Sequence, residues 1–437
     1  MAFATNRPRA AFVAFVISCA SFACAGAHDE ARGFPDLPSP RTDRDSDFSE
    51  SFGTSTPEAV GIDPHALVRL ARWIQADDTP IFSLLISRRG KLVFELYTSK
   101  IDRSQAHYVM SVTKSFLSAA VGIAIGRHLV RDDAESIADA LPPDAFPSDA
   151  DRERLRPITV KDVLDMSALD SPVFPHQKTL EAIDRLKRFN QSQNRLDFAL
   201  REKTLPVPGE SFLYTDATPE LAVGLIALSA HETAFDFAKK YLFDPLGFQN
   251  EEWMHEDEKG FDYGAVGLRI RPIDMQKLGN LYLHHGRWNG KQIVPEEWVD
   301  KSFTPWIASK PNGPPDYGYF WWTARYGSWL THEANGWKGQ RITIVPAEDL
   351  VVTMTAYIEP DESGATMTER MVFTKIMNKL IAPAVHDAPL AADPDADREL
   401  ATLLFDIRNH ALKMPANAEN RMIPAVAPKE KHHALTP

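Results

Sequence analysis

The segment Tyr108-Val-Met-Ser111-Val-Thr-Lys114-Ser115-Phe116-Leu117 (YVMSVTKSFL) is the most informative part of this 437-residue chain. Ser111 and Lys114 are three residues apart, so on a helix their side chains lie on one face, one turn from each other. The apolar residues that follow Ser115 predict that this helix is buried. A buried lysine without a partner costs about several kcal/mol, so we expect Lys114 to be neutral or paired.

The position of the pair in the first turn predicts an unusual pKa for Lys114. The first turn carries the positive end of the helix dipole, and burial disfavours a charged amine. Both effects predict a lowered pKa, which would let the neutral Lys114 amine accept the proton of Ser111. The pattern therefore indicates a serine nucleophile that needs no histidine. Alone, Ser-x-x-Lys also arises by chance on exposed helices, so other segments have to support it.

A second segment, PGESFLYTD (residues 208–216), lies about a hundred residues further along the chain. Its Pro-Gly turn precedes Tyr214, and a helix is predicted from Pro219 to Leu228. We expect the Tyr214 hydroxyl at the edge of a loop, where a tyrosine hydrogen-bonded to a lysine can relay protons. The alternative is a tyrosine that only packs against the helix.

A third segment, NGWKGQR (residues 335–341), has two glycines at the start of a predicted strand. Glycine permits close approach of the backbone to a ligand. The backbone N–H groups of Gln340 and Ser111 are candidates for an oxyanion hole. The alternative is an ordinary hairpin turn.

The order of predicted elements indicates an α+β fold. Strands occur near both ends of the chain, with a mostly helical stretch between them, and this favours one antiparallel sheet with flanking helices and a helical insertion over alternating βαβ units. The predicted elements are a helix at 64–74, a hairpin of strands 81–87 and 92–97, helices within 111–230, two strands within 340–357 and a helix at 367–381.

Taken together and in this order, the segments resemble the serine beta-lactamase and penicillin-binding-protein superfamily, in its class C-like esterase and 6-aminohexanoate-dimer hydrolase branch. The resemblance covers roughly residues 56–383. The matching segments are SVTKSF (111–116), ITVKDVLDMSALD (158–170), PGESFLYTD (208–216), DPLGF (244–248), VGLRIRPIDMQKLGNLYLHHGRWNGKQIVPEEWV (266–299), YGYFWW (317–322) and GWKGQRITIVPAEDLVV (336–352).

The resemblance implies a beta-lactamase/transpeptidase-like fold and a role for each matching residue. Ser111 is implied to be the acylated nucleophile, Lys114 its base partner and Tyr214 the proton relay. The strand motif bordering the acyl group is implied to supply substrate contacts, together with one residue of the tyrosine motif. These expected substrate-binding residues are Asp216, Trp337, Lys338, Gly339 and Gln340.

Two departures from the superfamily pattern affect the expected chemistry. Asp216 stands where lactamases and peptidases commonly have Asn, and its carboxylate would favour the charged form of Lys114. Trp337 stands where lactamases have lysine, and Lys338 comes one place later. If the strand is regular, adjacent side chains face opposite ways, so Lys338 would not grip a substrate carboxylate. Trp337 resembles the esterase pattern, and both departures argue against strong beta-lactamase activity.

Composition excludes other classes. The net charge of −12, without a long basic run, argues against nucleic-acid binding. The histidines occur as isolated pairs without further ligands at metal spacing, so we expect no metal and no cofactor. Both cysteines, Cys19 and Cys24, lie in the first 27 residues, so a chain cleaved after Ala25 or Ala27 would contain no thiol.

The chain divides into four predicted regions. Residues 1–27 have the basic, apolar and small-residue parts of a signal peptide, which predicts an exported, periplasmic or secreted protein with no membrane span in the mature chain. A signal anchor and a lipoprotein with lipidated Cys19 are the alternatives. Residues 28–55 are predicted to be a polar linker, residues 56–384 a serine hydrolase domain, and residues 385–437 a Pro/Ala-rich tail with one candidate helix at 397–412.

These observations predict a serine hydrolase that cleaves small esters or linear amides through an acyl-enzyme on Ser111. The first alternative is a beta-lactamase or D-Ala-D-Ala-type carboxypeptidase. The second is a non-catalytic penicillin-recognising binding domain. The oligomeric state is not predicted.

Overall fold

The computed structural model describes residues 53–76, 80–98, 103–173, 179–253, 257–358 and 368–409. The predicted signal peptide, most of the predicted linker and the end of the predicted tail lie outside these residues. The interpretations of Cys19 and Cys24 and of the cleavage sites at Ala25 and Ala27 are therefore untested by the structure.

The strands form one large sheet and two small ones. In chain order they are β1 (Gly53–Thr54), β2 (Ile81–Arg88), β3 (Lys91–Tyr97), β4 (His107–Tyr108), β5 (Glu252–Trp253), β6 (Leu268–Ile270), β7 (Arg287–Trp288), β8 (Lys291–Gln292), β9 (Trp322–Tyr326), β10 (Trp329–Gly336), β11 (Gln340–Val345) and β12 (Leu350–Ala356). The large sheet has the order β1-β3-β2-β12-β11-β10-β9, and the small sheets have the orders β4-β6-β5 and β7-β8.

The large sheet joins the two ends of the described chain, as the sequence predicts. Its neighbouring strands are antiparallel, except that the short strand β1 pairs in parallel with β3. The pairing of β2 with β12 places the N-terminal hairpin beside the C-terminal hairpin. The α+β architecture is therefore confirmed, with a sheet that is antiparallel apart from one edge pair.

The helices supply the flanking layers and the insertion. They are α1 (Pro64–Ala76), α2 (Thr113–Gly126), α3 (Ile137–Ala140), α4 (Asp149–Leu155), α5 (Val160–Leu164), α6 (Leu180–Asn190), α7 (Arg195–Arg201), α8 (Thr218–Ala230), α9 (Ala234–Ala238), α10 (Pro272–Leu283), α11 (Glu296–Phe303), α12 (Glu369–Lys375) and α13 (Pro394–Asn409). The seven helices α3–α9 lie between α2 and β5 in the described chain and form the helical insertion.

The two faces of the sheet bury different cores because successive strand side chains point to opposite sides. On one face, Leu85 and Val351 belong to the core formed with α2, α10 and the helical insertion. On the other face, Leu84 and Val352 pack with α1, α12 and α13. The Ser-x-x-Lys segment belongs to the first face.

The boundaries of the folded body differ from the predicted ones at both ends. Strand β1 begins at Gly53, three residues before the predicted start of the domain. The candidate helix of the tail begins at Pro394 and packs against α1. Leu400 and Ile407, seven residues apart and on one helix face, are buried in the second core, so residues 394–409 form part of the folded body.

Among the described residues, no single helix has both the length and the hydropathy of a membrane span. Helix α8 and the segment Ala234–Phe243 reach that level only as a pair, and they meet at 75°.

Candidate active site

Ser111 lies at the junction of the small sheet and helix α2. The chain leaves β4, makes a 3₁₀ turn over Met110–Val112 and enters α2 at Thr113. Ser111 therefore precedes the regular helix, whereas the sequence analysis placed it in the first α-helical turn. Met110 adopts a left-handed conformation with φ of 51°, which costs about 1–3 kcal/mol in a non-glycine residue. The nucleophile candidate thus follows a strained backbone position.

Lys114 is the centre of a buried hydrogen-bond network. Its side chain is 1% exposed, and helix α2 is buried from Thr113 to Ala124, as predicted. The Lys114 Nζ atom donates to Ser111 Oγ at 3.1 Å, to Asp216 Oδ1 at 3.2 Å and to the Ala265 carbonyl at 2.8 Å. An ammonium group has three protons to donate, and here each of three acceptors is within hydrogen-bond distance.

The prediction of a lowered pKa for Lys114 is wrong. Burial lowers the pKa of Lys114, but its interactions with Tyr214 and Asp216 outweigh burial and raise the pKa above its ordinary value. Asp216 is itself buried, so its attraction for the ammonium group is poorly screened by water. The helix field acts in the opposite direction and is weaker than this direct ion pair. The separate expectation that Asp216 favours charged Lys114 agrees with this geometry.

Tyr214 reaches the same network from the loop before α8. Its ring centroid lies 4.9 Å from Lys114 Nζ, and a hydrogen bond between the two side chains contributes to the raised pKa of Lys114. The ring also stacks on Trp322, with centroids 5.9 Å apart and planes at 27°. Tyr214 therefore packs against Trp322 and also lies beside Lys114, so both interpretations of this residue hold. The packing fixes the orientation of its ring.

Glu220 supports this network, and the sequence analysis did not identify it. Its Oε1 atom accepts hydrogen bonds from the backbone N–H groups of Gly264 (3.0 Å) and Ala265 (3.3 Å), and the Ala265 carbonyl accepts from Lys114. Burial raises the pKa of Glu220 to about 8. A carboxyl group within the apolar run of α8, TPELAVGLIAL, is the sequence signal that points to it.

The NGWKGQR segment forms the tight turn between β10 and β11, which lies against the Ser111 turn. A Cβ atom at Gly336 would be 2.5 Å from the Val109 carbonyl oxygen and 3.2 Å from Met110 Cβ, so no larger residue fits there without a shift. The segment therefore forms the hairpin turn of the alternative interpretation. It also lies close to the Ser111 turn, as a shared oxyanion hole would require. Gln340 and Gly339 also lie at this turn, because Gly336 pairs with Gln340.

Lys338 occupies the turn itself, so the expectation based on a regular strand does not apply. Its φ is 68°, and its side chain is 4% exposed. The Nζ atom lies over the rings of Trp337 (4.1 Å) and Tyr357 (4.7 Å). Trp337 is 38% exposed. The structure therefore brings Ser111, Tyr214 and Asp216 into contact with Lys114, and it places residues 337–340 at the adjoining hairpin.

No group of three or more His, Cys, Asp or Glu side chains within the described ranges is arranged to hold a metal ion. The site geometry is built from a hydroxyl, an ammonium group, a phenol and two carboxyl groups. These groups are suited to moving protons and to attacking a carbonyl carbon.

Comparison with known families agrees with this geometry. The family model described as Beta-lactamase matches residues 70–374. The chain belongs to the beta-lactamase family. This match covers both hairpins of the large sheet and the helical insertion, and it confirms the predicted superfamily and fold.

Individual relatives of this beta-lactamase family chain are distant in sequence. The 6-aminohexanoate-dimer hydrolase of Paenarthrobacter ureafaciens is 22% identical over 310 residues, which are 65% of this chain and 75% of that protein. The octameric penicillin-binding protein homologue of Pyrococcus abyssi has a TM-score of 0.54 and 16% identity, covering 71% of this chain and 75% of that one. The hydrolase EstCE1, with promiscuous acyltransferase activity, has a TM-score of 0.56 and 14% identity, covering 72% and 99%. The family and these names support a hydrolase of the serine beta-lactamase superfamily.

Proposed function

We propose that the protein cleaves small esters or linear amides through an acyl-enzyme on Ser111. The observation that carries this proposal is the buried network in which Ser111 Oγ lies 3.1 Å from Lys114 Nζ, while Asp216 and the Ala265 carbonyl hold the same ammonium group. A serine that only stabilised the fold would need no such arrangement of charged partners.

The proposed reaction gives each of these groups a role. Ser111 Oγ attacks the acyl carbon, and its proton passes through the Tyr214 hydroxyl to the leaving oxygen or nitrogen as the ester or amide bond breaks. Water then attacks the acyl-enzyme, gives its proton to Ser111 Oγ by the same route and releases the acid. Charged Lys114 stabilises the oxygens between which the proton moves. The backbone N–H groups of Ser111 and Gln340 are assigned to the oxyanion.

The substrate class rests on two kinds of support. One relative is named for 6-aminohexanoate dimer and another as a hydrolase with acyltransferase activity, which are consistent with amide and ester substrates. In addition, the amide donor that lactamases and peptidases commonly have in the tyrosine motif is replaced here by Asp216, which is paired with Lys114. Without that amide donor, a small ester or linear amide is favoured over a beta-lactam.

The proposal is tested by turnover of 4-nitrophenyl butyrate and by intact-mass labelling with a fluorophosphonate. Ser111→Ala is expected to lower kcat by at least about 1000-fold and to abolish the single mass adduct, because the nucleophile is lost. Ser115→Ala is the matched control: Ser115 lies on the same buried helix, but its Oγ donates to the Phe320 carbonyl (2.7 Å). This variant should keep both the adduct and most of the activity.

Three outcomes would contradict the proposal. A loss in kcat of less than about tenfold in Ser111→Ala would exclude Ser111 as the nucleophile. Turnover of nitrocefin at a rate comparable to that of the ester would favour the beta-lactamase or carboxypeptidase alternative. Failure of the wild-type protein to form any covalent adduct would favour the non-catalytic binding domain.

We also infer that the protein acts outside the cytoplasm, in the periplasm or as a secreted enzyme. The support is the signal-like composition of residues 1–27. N-terminal sequencing of the protein recovered from a periplasmic or culture fraction should show cleavage after Ala25 or Ala27. An intact N-terminus in the membrane fraction would indicate a signal anchor, and a lipidated Cys19 would indicate a lipoprotein.

A further inference from the structure

The side chain of Lys338 is directed into the protein between two aromatic rings. A left-handed backbone at Lys338, with φ of 68°, turns its side chain away from the alternation of the neighbouring strands. The Nζ atom lies 4.1 Å from the Trp337 ring centroid and 4.7 Å from the Tyr357 ring centroid. A cation over a ring face is attracted by the quadrupole of that ring. The buried lysine therefore contacts the ring of Trp337, a residue that is 38% exposed.

Hydrogen bonds to the backbone fix the turn on which both side chains stand. The Lys338 carbonyl accepts from the Ile358 N–H at 3.0 Å, next to Tyr357. The Gln340 side chain donates from Nε2 to the Trp337 carbonyl at 3.2 Å and to the Ala356 carbonyl at 2.6 Å. With the backbone held in this way, the Lys338 ammonium group over the Trp337 ring can influence the orientation of that ring.

The arginine of this hairpin does not present its charge to the Ser111 side of the sheet. Arg341 donates to Glu333 (3.2 Å) and Asn335 (2.8 Å), and its guanidinium group lies over the Phe373 ring at 5.0 Å. Those contacts belong to the face of the sheet opposite Ser111. Glu369, the first residue of α12, lies on that same face, where a Cβ atom at Gly339 would be 3.5 Å from Glu369 Cβ.

We infer that Lys338 is a positioning residue that holds Trp337 at the mouth of the Ser111 site, so that the site accepts uncharged, apolar acyl groups and rejects those with a free carboxylate. This inference rests on the proposed function, in which Ser111 is acylated. Trp337 supplies the apolar surface, and the Lys338 ammonium group lies over its ring.

The inference is tested with two esters that differ only in one charge, 4-nitrophenyl methyl adipate and 4-nitrophenyl hydrogen adipate. After subtraction of spontaneous hydrolysis, wild-type kcat/KM is expected to be at least about tenfold higher for the methyl ester. Fluorophosphonate labelling of Ser111 is measured on the same sample. Labelling together with equal turnover of both esters would overturn the inference and leave the proposed function intact, whereas absence of labelling would overturn both.

Variants separate the two roles that Lys338 could have. Lys338→Met is expected to raise KM for the methyl ester about 5- to 10-fold, with kcat within about threefold of wild type, and so to reduce the preference for that ester. Lys338→Arg keeps a cation over the ring and should restore the preference. If Lys338 instead bound substrate carboxylates, Lys338→Met would increase the preference for the methyl ester, and that result would overturn the inference.

Two further comparisons show whether Lys338 acts through Trp337. Trp337→Ala should reduce the preference as Lys338→Met does, and the double variant should be no worse than Trp337→Ala alone. Full additivity of the two changes would contradict the inference. Lys375 lies 4.4 Å from the Trp73 ring on the opposite face of the sheet, so Lys375→Met and Trp73→Ala are matched controls that should leave the preference unchanged.

Discussion

The surroundings of two buried lysines, Lys114 and Lys338, differ although the residues are almost equally shielded from water. Their side chains are 1% and 4% exposed. Lys114 donates to a hydroxyl, a carboxylate and a carbonyl, whereas Lys338 lies over two aromatic rings. Burial alone therefore does not determine what a lysine does in this fold.

The difference between the two environments has chemical consequences. The acceptors around Lys114 raise its pKa despite burial. They hold its ammonium group 3.1 Å from Ser111 Oγ, the atom that is proposed to attack the substrate. The aromatic rings around Lys338 attract its cation through their faces, at a position outside the Lys114 network. We therefore assign proton chemistry to the first environment and shaping of the site to the second.

The largest expected effect comes from removing Lys114, and removal of Lys338 is the comparison. Lys114→Met should lower kcat for a neutral ester by at least about 1000-fold, because the charged partner of Ser111 and Tyr214 is lost and Asp216 is left buried and unpaired. Lys338→Met should change kcat by no more than about threefold and act mainly on KM. Steady-state kinetics, with thermal unfolding to verify folding, measures both. Equal losses of kcat in the two variants would remove the distinction between the environments.

A smaller effect is expected from Asp216→Asn, which removes the negative charge beside Lys114 and leaves the surroundings of Lys338 unchanged. The Asp216 carboxylate raises the pKa of Lys114, so the amide should lower that pKa. If charged Lys114 is the active form, activity is lost as pH rises through its pKa. The alkaline limb of the kcat/KM profile should therefore move to lower pH by at least about one unit.

The matched control for this variant is Asp165→Asn. Asp165 is also buried and pairs with a lysine, Lys161, at 2.6 Å. It should leave the position of the alkaline limb unchanged. Movement of the acidic limb in Asp216→Asn, with higher activity at neutral pH, would show instead that neutral Lys114 is the active form.

The smallest effect on activity is expected from Glu220→Gln, because the amide oxygen can still accept from the N–H groups of Gly264 and Ala265. We expect kcat to change by no more than about threefold. The variant should instead change the dependence of stability on pH. Burial is the main cause that raises the pKa of Glu220 from 4.5 to about 8, while Arg195 and the Ala265 N–H oppose this and Asp257 and Asp216 add to it.

The sign of that effect follows from the raised pKa. The protonated carboxyl group is the form that the folded state favours, so its contribution is complete below about pH 4.5 and is lost as pH rises through about 8. Relative to Glu220→Gln, the wild-type free energy of unfolding should therefore fall over this range, by up to about 1.4 kcal/mol per pH unit. Urea unfolding at pH 5, 6.5 and 8 measures it. Parallel curves for the two proteins would show that Glu220 is ionised throughout.

Much of the fold could be predicted because it depends on local patterns. The helix predicted at 64–74 is α1, and the two predicted hairpins are β2–β3 and β11–β12, since alternating apolar residues and a turn between them act over a few residues. The two-residue strand β1 and the packing of α13 on α1 were not predicted. Both depend on partners that are distant in the sequence, β3 and α1 respectively.

The site was predicted in part, for the same physical reason. Ser111 and Lys114 are neighbours on one turn of chain, so their contact could be predicted from spacing alone. The direction of the Lys114 pKa could not, because it depends on Asp216 and Tyr214, a hundred residues away, and on their burial. Glu220 is linked to Lys114 through the backbone of Gly264 and Ala265, and no sequence spacing indicates this link.

By itself, then, the sequence determined the superfamily, the α+β architecture and the identity of a serine and a lysine that lie about one turn of chain apart. The tertiary structure decided the charge of Lys114 and the location of the Lys338 side chain. Spacing along a helix or strand follows from backbone geometry, which is the same in every protein. Charge and orientation depend on which distant groups share a small, poorly hydrated volume, and only folding brings those groups together.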